Sequence, residues 1–352
     1  MDRLRVGVMA YPGCFASEVF GVPDLLVMAD HVAAARGSDR PRCQVSVLSP
    51  RREVVAAGGC ALQVTPPCPV DVLVVPGFAA TPGGGLGRLL AELRPEMALL
   101  RSHAAAGVPV VSICVGAFLL AESGLLDGRE ATTSWLFADA FRRRYPKVAL
   151  RPERLVVTDA GVTTTGAFSA MYDFALGFVR DHHGSQIARS TARIALVDDA
   201  RSSQAPYVDH DLLPPLGREF SRAVKRWLDR RLAARYDLSA LAGAFHVSTR
   251  TMLRRFGQET GTTPLAYLQA ARVRRARHLL EATERSLAAI TAEVGYADPS
   301  TFSAVFTRHT GMRPRDYRAA FRARPRDAAA GGGGRPGQAP AAEGPRPPAG
   351  PV

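Results

Sequence analysis

Leu238 to Phe256 reads LSALAGAFHVSTRTMLRRF. Its apolar positions follow a short helix to about Ala244, break in a turn over Ala244 to Val247, and resume in a second helix. Ser248 stands where that second helix begins, and its side-chain oxygen suits the free N–H groups of a first turn. The same grammar returns at Leu287 to Phe306, LAAITAEVGYADPSTFSAVF, with Gly295 in the turn and Asp298 followed by Pro299 as cap and first helical position. The spacing predicts two helix-turn-helix units in tandem. In each, the second helix packs an apolar side inward (Met252 and Phe256; Phe302 and Phe306) and offers its polar side to a major groove.

Charge singles out the same region. Lys plus Arg total 45 and Asp plus Glu 32 in the 352 residues, a net charge of +13. Residues 218–326 hold 22 basic and 9 acidic side chains, whereas residues 1–217 hold 21 of each. The whole excess therefore sits in under a third of the chain, which implies a polyanionic partner, nucleic acid before an acidic membrane. A membrane fits poorly because the apolar faces are needed for two small cores. A merely solvated arginine surface leaves the two capped repeats unexplained.

Upstream, short β-branched runs alternate with helical patterns. Strands are expected at Val6 to Met9, Val45 to Leu48, Val72 to Val75 and Val108 to Ile113, and helices from about Ser17, Gly87, Val115 and Phe168. Runs buried on both faces and separated by helices predict an α/β fold with a doubly wound, mainly parallel sheet, a flavodoxin-like sandwich, followed by the all-α part. Val54 to Thr65, interrupted by Gly58 and Gly59, is read as a hairpin added to that sheet. The chain divides into an α/β domain at 1–185, a connector at 186–217 with a boundary near Pro214 and Pro215, a DNA-binding domain at 218–326, and a disordered Gly/Pro-rich tail at 327–352.

Five cysteines (Cys14, Cys43, Cys60, Cys68 and Cys114) form no CxxC pair and flank no histidine cluster, so neither a disulfide framework nor a metal centre is expected. The opening apolar stretch from Val6 is broken at Pro12 and Gly13, and no run of 18 apolar residues exists, which points to the cytoplasm. Gly83 to Gly87 lacks the Lys and Ser/Thr of a phosphate loop and is read as a turn. Arg142 to Arg144 is read as a solvated helix C-terminus.

The informative stretch upstream is Val110 to Phe118, VVSICVGAF. A buried strand ends at Cys114, and small residues let a helix start at once. A thiol at such an elbow is expected to be exposed and pulled toward thiolate by the helix N-terminus, with Glu18 opposite; the alternative is a small buried residue that merely fits the elbow. His31, His103, His182, His183 and His210 remain as bases, and no spacing singles one out.

Two resemblances rest on these residues. Thr263 to Tyr267, the Arg272 to Leu280 helix, Val294-Gly295-Tyr296, Ser300-Thr301-Phe302 and Gly311 to Pro314 resemble the DNA-binding domain of AraC/XylS-family transcriptional regulators. That resemblance implies base- or backbone-facing roles for Ser248, Thr249, Arg250, Leu253 and Arg254 in the first unit and for Pro299, Ser300, Thr301 and Ala304 in the second. Ala304 departs from the longer side chain often found there, implying weaker base readout by the second unit.

The elbow, Gly124 to Gly128, Thr132-Thr133, Thr165-Gly166 and Asp173 are similar to the PfpI-type class I glutamine amidotransferase-like fold, in the version fused to AraC-type regulators. Gln204-Ala205-Pro206-Tyr207 fits that fusion. The resemblance implies a ligand pocket at Cys114, Val115, Glu18, Ser134 and Gly77. Val115 follows the cysteine where catalytic relatives commonly carry His, and Ser134 follows Thr-Thr where regulators often carry His. No catalytic residue, cofactor or metal is therefore assigned. The expectation is a catalytically inactive sensor domain on a sequence-specific regulator with double-stranded promoter DNA, a small-molecule effector, RNA polymerase and a second copy of the chain as partners. The alternative is a thiol-dependent hydrolase or glyoxalase-like enzyme with a fused DNA-binding module.

Overall fold

The computed structural model describes residues 3–38, 40, 42–81, 85–198, 201–209, 212 and 219–322. Pro214, Pro215, His210, Gly83, Gly84 and the 327–352 tail lie outside the described residues. The strands are β1 (Leu4–Met9), β2 (Cys43–Leu48), β3 (Val54–Val55), β4 (Ala61–Leu62), β5 (Val72–Val75), β6 (Val110–Ser112), β7 (Glu130–Ala131), β8 (Ala149–Leu150), β9 (Val156–Asp159) and β10 (Val162–Thr165). Six of them form one sheet in the order β2-β1-β5-β6-β10-β9. All neighbours run parallel except β10 and β9, an antiparallel pair at the edge. β5 is buried along its whole length, as expected for a central strand covered on both faces.

Helix α1 (Ala16–Ala35) connects β1 to β2, while α2 (Leu86–Glu92) and α3 (Arg94–Ala105) connect β5 to β6. The chain steps outward in opposite directions in these two crossovers, so right-handed connections place the helices on opposite faces. On the first face α1 packs with α6 (Ala170–His183) and α7 (Ser185–Ala195). On the second, α2 and α3 pack on α4 (Ala117–Glu122), which α5 (Ala138–Arg144) joins through Phe118 and Phe141, rings 4.9 Å apart.

The expected hairpin exists but does not extend the main sheet. β3 and β4 form their own two-stranded sheet, and only Thr65 bridges to Leu48. Pro66 and Pro67 follow at once, and without N–H donors they cannot continue the ladder. The edge pair β9–β10 is not evident from the sequence, because its four-residue runs VVTD and VTTT are short and lack apolar/polar alternation.

From residue 219 the described chain is helical: α8 (Glu219–Asp229), α9 (Leu238–Ala244), α10 (Thr249–Thr260), α11 (Pro264–Ala282), α12 (Leu287–Glu293), α13 (Pro299–Thr310) and α14 (Pro314–Phe321). Two small cores form here. One gathers Val224, Leu241, Met252, Phe256 and Leu268, the other Val273, Leu280, Ile290, Phe302, Phe306 and Tyr317. Met252, Phe256, Phe302 and Phe306 are all fully buried, each contributing roughly 1.5–3 kcal/mol. α11 lends residues to both cores and so joins them.

Candidate functional site

In the first helical unit, Asp237 caps α9 by accepting from the amides of Ser239 and Ala240. Ser248 caps α10, accepting from Thr251 N at 3.2 Å. His246 in the turn has φ 54°, the left-handed backbone that reverses the chain there. In the second unit Ser286 caps α12, and Asp298 caps α13 through the amides of Ser300 and Thr301, with Pro299 as first helical residue. Thus each recognition helix starts at the residue that the sequence indicated.

Ser248, Thr249, Arg250, Leu253 and Arg254 are exposed together on α10, and Pro299, Ser300, Thr301 and Ala304 on α13. Arg254 reaches only Gln258, at 3.4 Å along its own helix. Arg255, one residue on, turns away instead, lying over the Phe220 ring and pairing with Glu259. The exposed arginines on this side of α10 are therefore those one turn apart, Arg250 and Arg254.

Sequence reasoning missed the brace between the two units. Arg272 on α11 is 6% exposed; its Nε donates to Leu232 O at 2.8 Å and its Nη2 to Ala234 O at 2.7 Å. The same guanidinium lies 5.0 Å from the Tyr296 ring centroid in the second unit's turn. Gly295 there has φ 82°, and a Cβ on it would meet Leu232 O at 2.6 Å. The turn of the second unit is thus pressed against the α8–α9 connection of the first, and Gly295 with Arg272 fixes their separation. The only sequence signal was an arginine within an otherwise apolar helix face.

In the α/β region the first-side crossover (β1 to β2) and the second-side crossover (β5 to β6) part between β1 and β5, the point where such sheets leave a crevice at the carboxyl ends of their strands. Glu18, Gly77, Cys114, Val115 and Ser134 meet there. Glu18 is wholly buried and its Oε2 accepts from Gly77 N, while Oε1 has no partner. A Cβ on Gly77 would lie 3.2 Å from Glu18 Oε2 and 3.3 Å from Val115 Cγ2. Gly116 is tighter still: its Cβ would meet Pro76 O at 2.7 Å. These two glycines let the β5 and β6 ends close on each other.

Cys114 has φ 55°, so the elbow is real and strained. Two expectations about its thiol are overturned. The residue is 8% exposed rather than presented to solvent. Burial and the neighbouring Glu18 push the thiol up to about 12, against the lowering effects of the Val115 amide and a Ser134 hydrogen bond. The helix it was expected to borrow from explains this, since α4 has six residues and is preceded by a 3₁₀ turn at Cys114–Gly116. Burial likewise raises Glu18 to about 8, so at neutral pH the carboxyl is largely protonated. Neither group is a strong base at pH 7.

Behind Cys114, Thr133 leads to Gln204. Thr133 Oγ1 donates to Cys114 O at 3.0 Å, and Gln204 Nε2 donates to Thr133 O at 2.9 Å. Gln204 is 1% exposed, and its Oε1 accepts from Trp135 N, next to Ser134. Three residues on, the connector meets the helical region: Arg277 Nη2 donates to Pro206 O at 3.0 Å, and the Tyr207 ring lies 5.2 Å from that of Phe321. Arg277 also donates to Tyr317 OH at 2.8 Å, inside the second helical core. A cavity of about 590 Å³ opens at the opposite end of the sheet beside Phe174, Phe178, Arg180 and Arg201. It lies away from the elbow and the strand carboxyl ends.

Comparison with known proteins agrees with both halves. The pattern of the DJ-1/PfpI family matches residues 32–181 and that of a helix-turn-helix domain matches residues 241–320. The HTH-type transcriptional regulator GlxA of Rhizobium meliloti is 31% identical over 62% of this chain and 68% of its own length. The HTH-type transcriptional regulator GbdR of Pseudomonas aeruginosa is 27% identical over 76% of this chain and 72% of its own. CdhR of the same organism, another HTH-type transcriptional regulator, is 30% identical over 62% of this chain and 61% of its own.

Proposed function

The chain belongs to the AraC-type helix-turn-helix transcriptional regulators that carry an N-terminal DJ-1/PfpI domain, and from that premise we propose that its α/β domain is a catalytically inactive sensor for a small-molecule effector. It is a DNA-binding regulator of transcription; the effector site and the base-reading residues are the proposal. Cys114, Val115, Glu18, Ser134 and Gly77 form the effector pocket. Ser248, Thr249, Arg250, Leu253 and Arg254 read the first half of a promoter site, and Pro299, Ser300, Thr301 and Ala304 sit on the second with less base discrimination. The observation that carries the sensor reading is the protonated, buried Cys114–Glu18 pair: nucleophilic catalysis needs a base beside the thiol, and Glu18 holds its proton at neutral pH.

The regulator acts in the cytoplasm, as a homodimer in contact with RNA polymerase; among the described residues no helix is long and apolar enough to cross a membrane. Phe20, Val27 and Met28 are exposed along α1 and offer an apolar stripe to a second copy. The test of the reading surface is a binding profile over randomised DNA. An Arg paired bidentately with guanine is worth roughly 1–3 kcal/mol of discrimination, so Arg254→Ala should relax preference at one or two adjacent base pairs and leave the rest of the site intact. An unchanged preference would mean that α10 does not enter the groove by this face.

A further inference from the structure

Asp30 on α1, Cys43 at the start of β2 and His183 at the end of α6 come from distant segments, yet their ligand atoms all lie within 4.8 Å of one another. Nδ1 and Nε2 of His183 are both buried with no hydrogen-bond partner, as is Oδ1 of Asp30. His183 Nε2 lies 3.3 Å from that oxygen, and the histidine side chain is 2% exposed. The other carboxylate oxygen, Oδ2, accepts from the Cys43 amide at 2.9 Å, which orients the carboxylate. Buried polar atoms are nearly always partnered. A single ion takes one ring nitrogen, and Nε2 with Oδ1, facing each other beside the thiol, are the pair placed to share it.

We propose that Asp30, Cys43 and His183 form a binding site for a divalent transition metal of the zinc type, with a fourth position left to water. Thiolate, imidazole and carboxylate are the three ligand types zinc takes, and three protein ligands leave a tetrahedral ion one open position. Bonds of about 2.0–2.3 Å put tetrahedral ligand atoms roughly 3.3–3.8 Å apart, a rotamer-scale contraction of the present cluster. Two anionic ligands and a neutral imidazole balance the dication, so no net charge is buried. The Asp30–Cys43 amide bond supplies the outer support that metal-binding carboxylates need. Sequence spacing could not reveal this site, because its ligands are 13 and 140 residues apart. Bound metal would pin α1, β2 and α6 together directly before α7. The site is independent of the DNA-binding reading and of the Cys114 pocket.

The test uses the full chain, reduced, stripped with a chelator and titrated with Co²⁺ as a spectroscopic probe. The expected result is thiolate-to-cobalt absorption in the near ultraviolet with visible d–d bands, saturating at one equivalent and displaced by Zn²⁺. Cys43→Ser should abolish the near-ultraviolet band with an unchanged far-ultraviolet dichroism spectrum. Cys114→Ser and a Cys60→Ser/Cys68→Ser variant should keep it, and His183→Gln should weaken Co²⁺ binding at least tenfold. The proposal is overturned if folded wild type shows no band saturating at one equivalent, if the band survives Cys43→Ser, or if His183→Gln binds Co²⁺ as wild type does.

Discussion

Glu18 and Cys114 illustrate how burial decides what a side chain can do. A carboxyl raised from its ordinary 4.5 to about 8 by burial holds its proton in the folded chain at pH values where the unfolded chain has lost it. Between those two values the folded state binds more protons, so stability falls as pH rises, with a slope of up to about 1.4 kcal/mol per pH unit. Glu18→Gln should remove this slope. Denaturation midpoints of the two proteins should therefore diverge from pH 5 to pH 8, wild type losing ground, and parallel curves would show that Glu18 ionises freely. Cys114 leads to a second expectation. Cys114→Ser should fold, bind DNA without effector about as well as wild type, and lose or shift the response of DNA binding to effector or thiol-directed reagents. Sustained turnover of an amide, ester or aldehyde that vanishes in Cys114→Ser would contradict the sensor reading.

Among the elements, the caps were the most legible features and the braces the least. Ser248 and Asp298–Pro299 announce their helices because capping is local: the donor amides are two or three residues away. The central strands were legible for the same reason, since four consecutive buried residues in Val72–Val75 need cover on both faces. Arg272 and Gly295 were not legible as a pair, because their partners at Leu232 and Ala234 are brought near only by the fold. Nor was the state of the Cys114 thiol: Glu18 is expected opposite it from the sequence, but the burial that raises the thiol most is set only by the fold. Gly295 gives the element-scale prediction. Alanine there must adopt a left-handed backbone and press its Cβ into the Leu232 carbonyl, so Gly295→Ala should destabilise the chain by about 2–4 kcal/mol. It should also broaden the tolerated spacing between half-sites. A denaturation midpoint within experimental error of wild type would show that the two units are not held by this contact.

At the scale of the molecule, one polar chain runs from the elbow to the second helical unit: Cys114 carbonyl, Thr133, Gln204, the Pro206 carbonyl and Arg277. It gives the proposed effector pocket a material connection to the helical region. A rearrangement of the Thr132–Ser134 segment on binding would act first on Gln204, and through three residues of connector on Arg277 and Tyr317. Both helix-turn-helix units of one chain are expected to engage DNA together, held at fixed separation by α11, Arg272 and Gly295. Hydroxyl-radical footprinting of the full chain on a bound promoter fragment measures this most directly. The predicted pattern is two protected segments per monomer, about 10 bp apart on one face of the duplex and without a palindrome between them, the segment under α13 tolerating more sequence variation. A single protected major groove per monomer would contradict it.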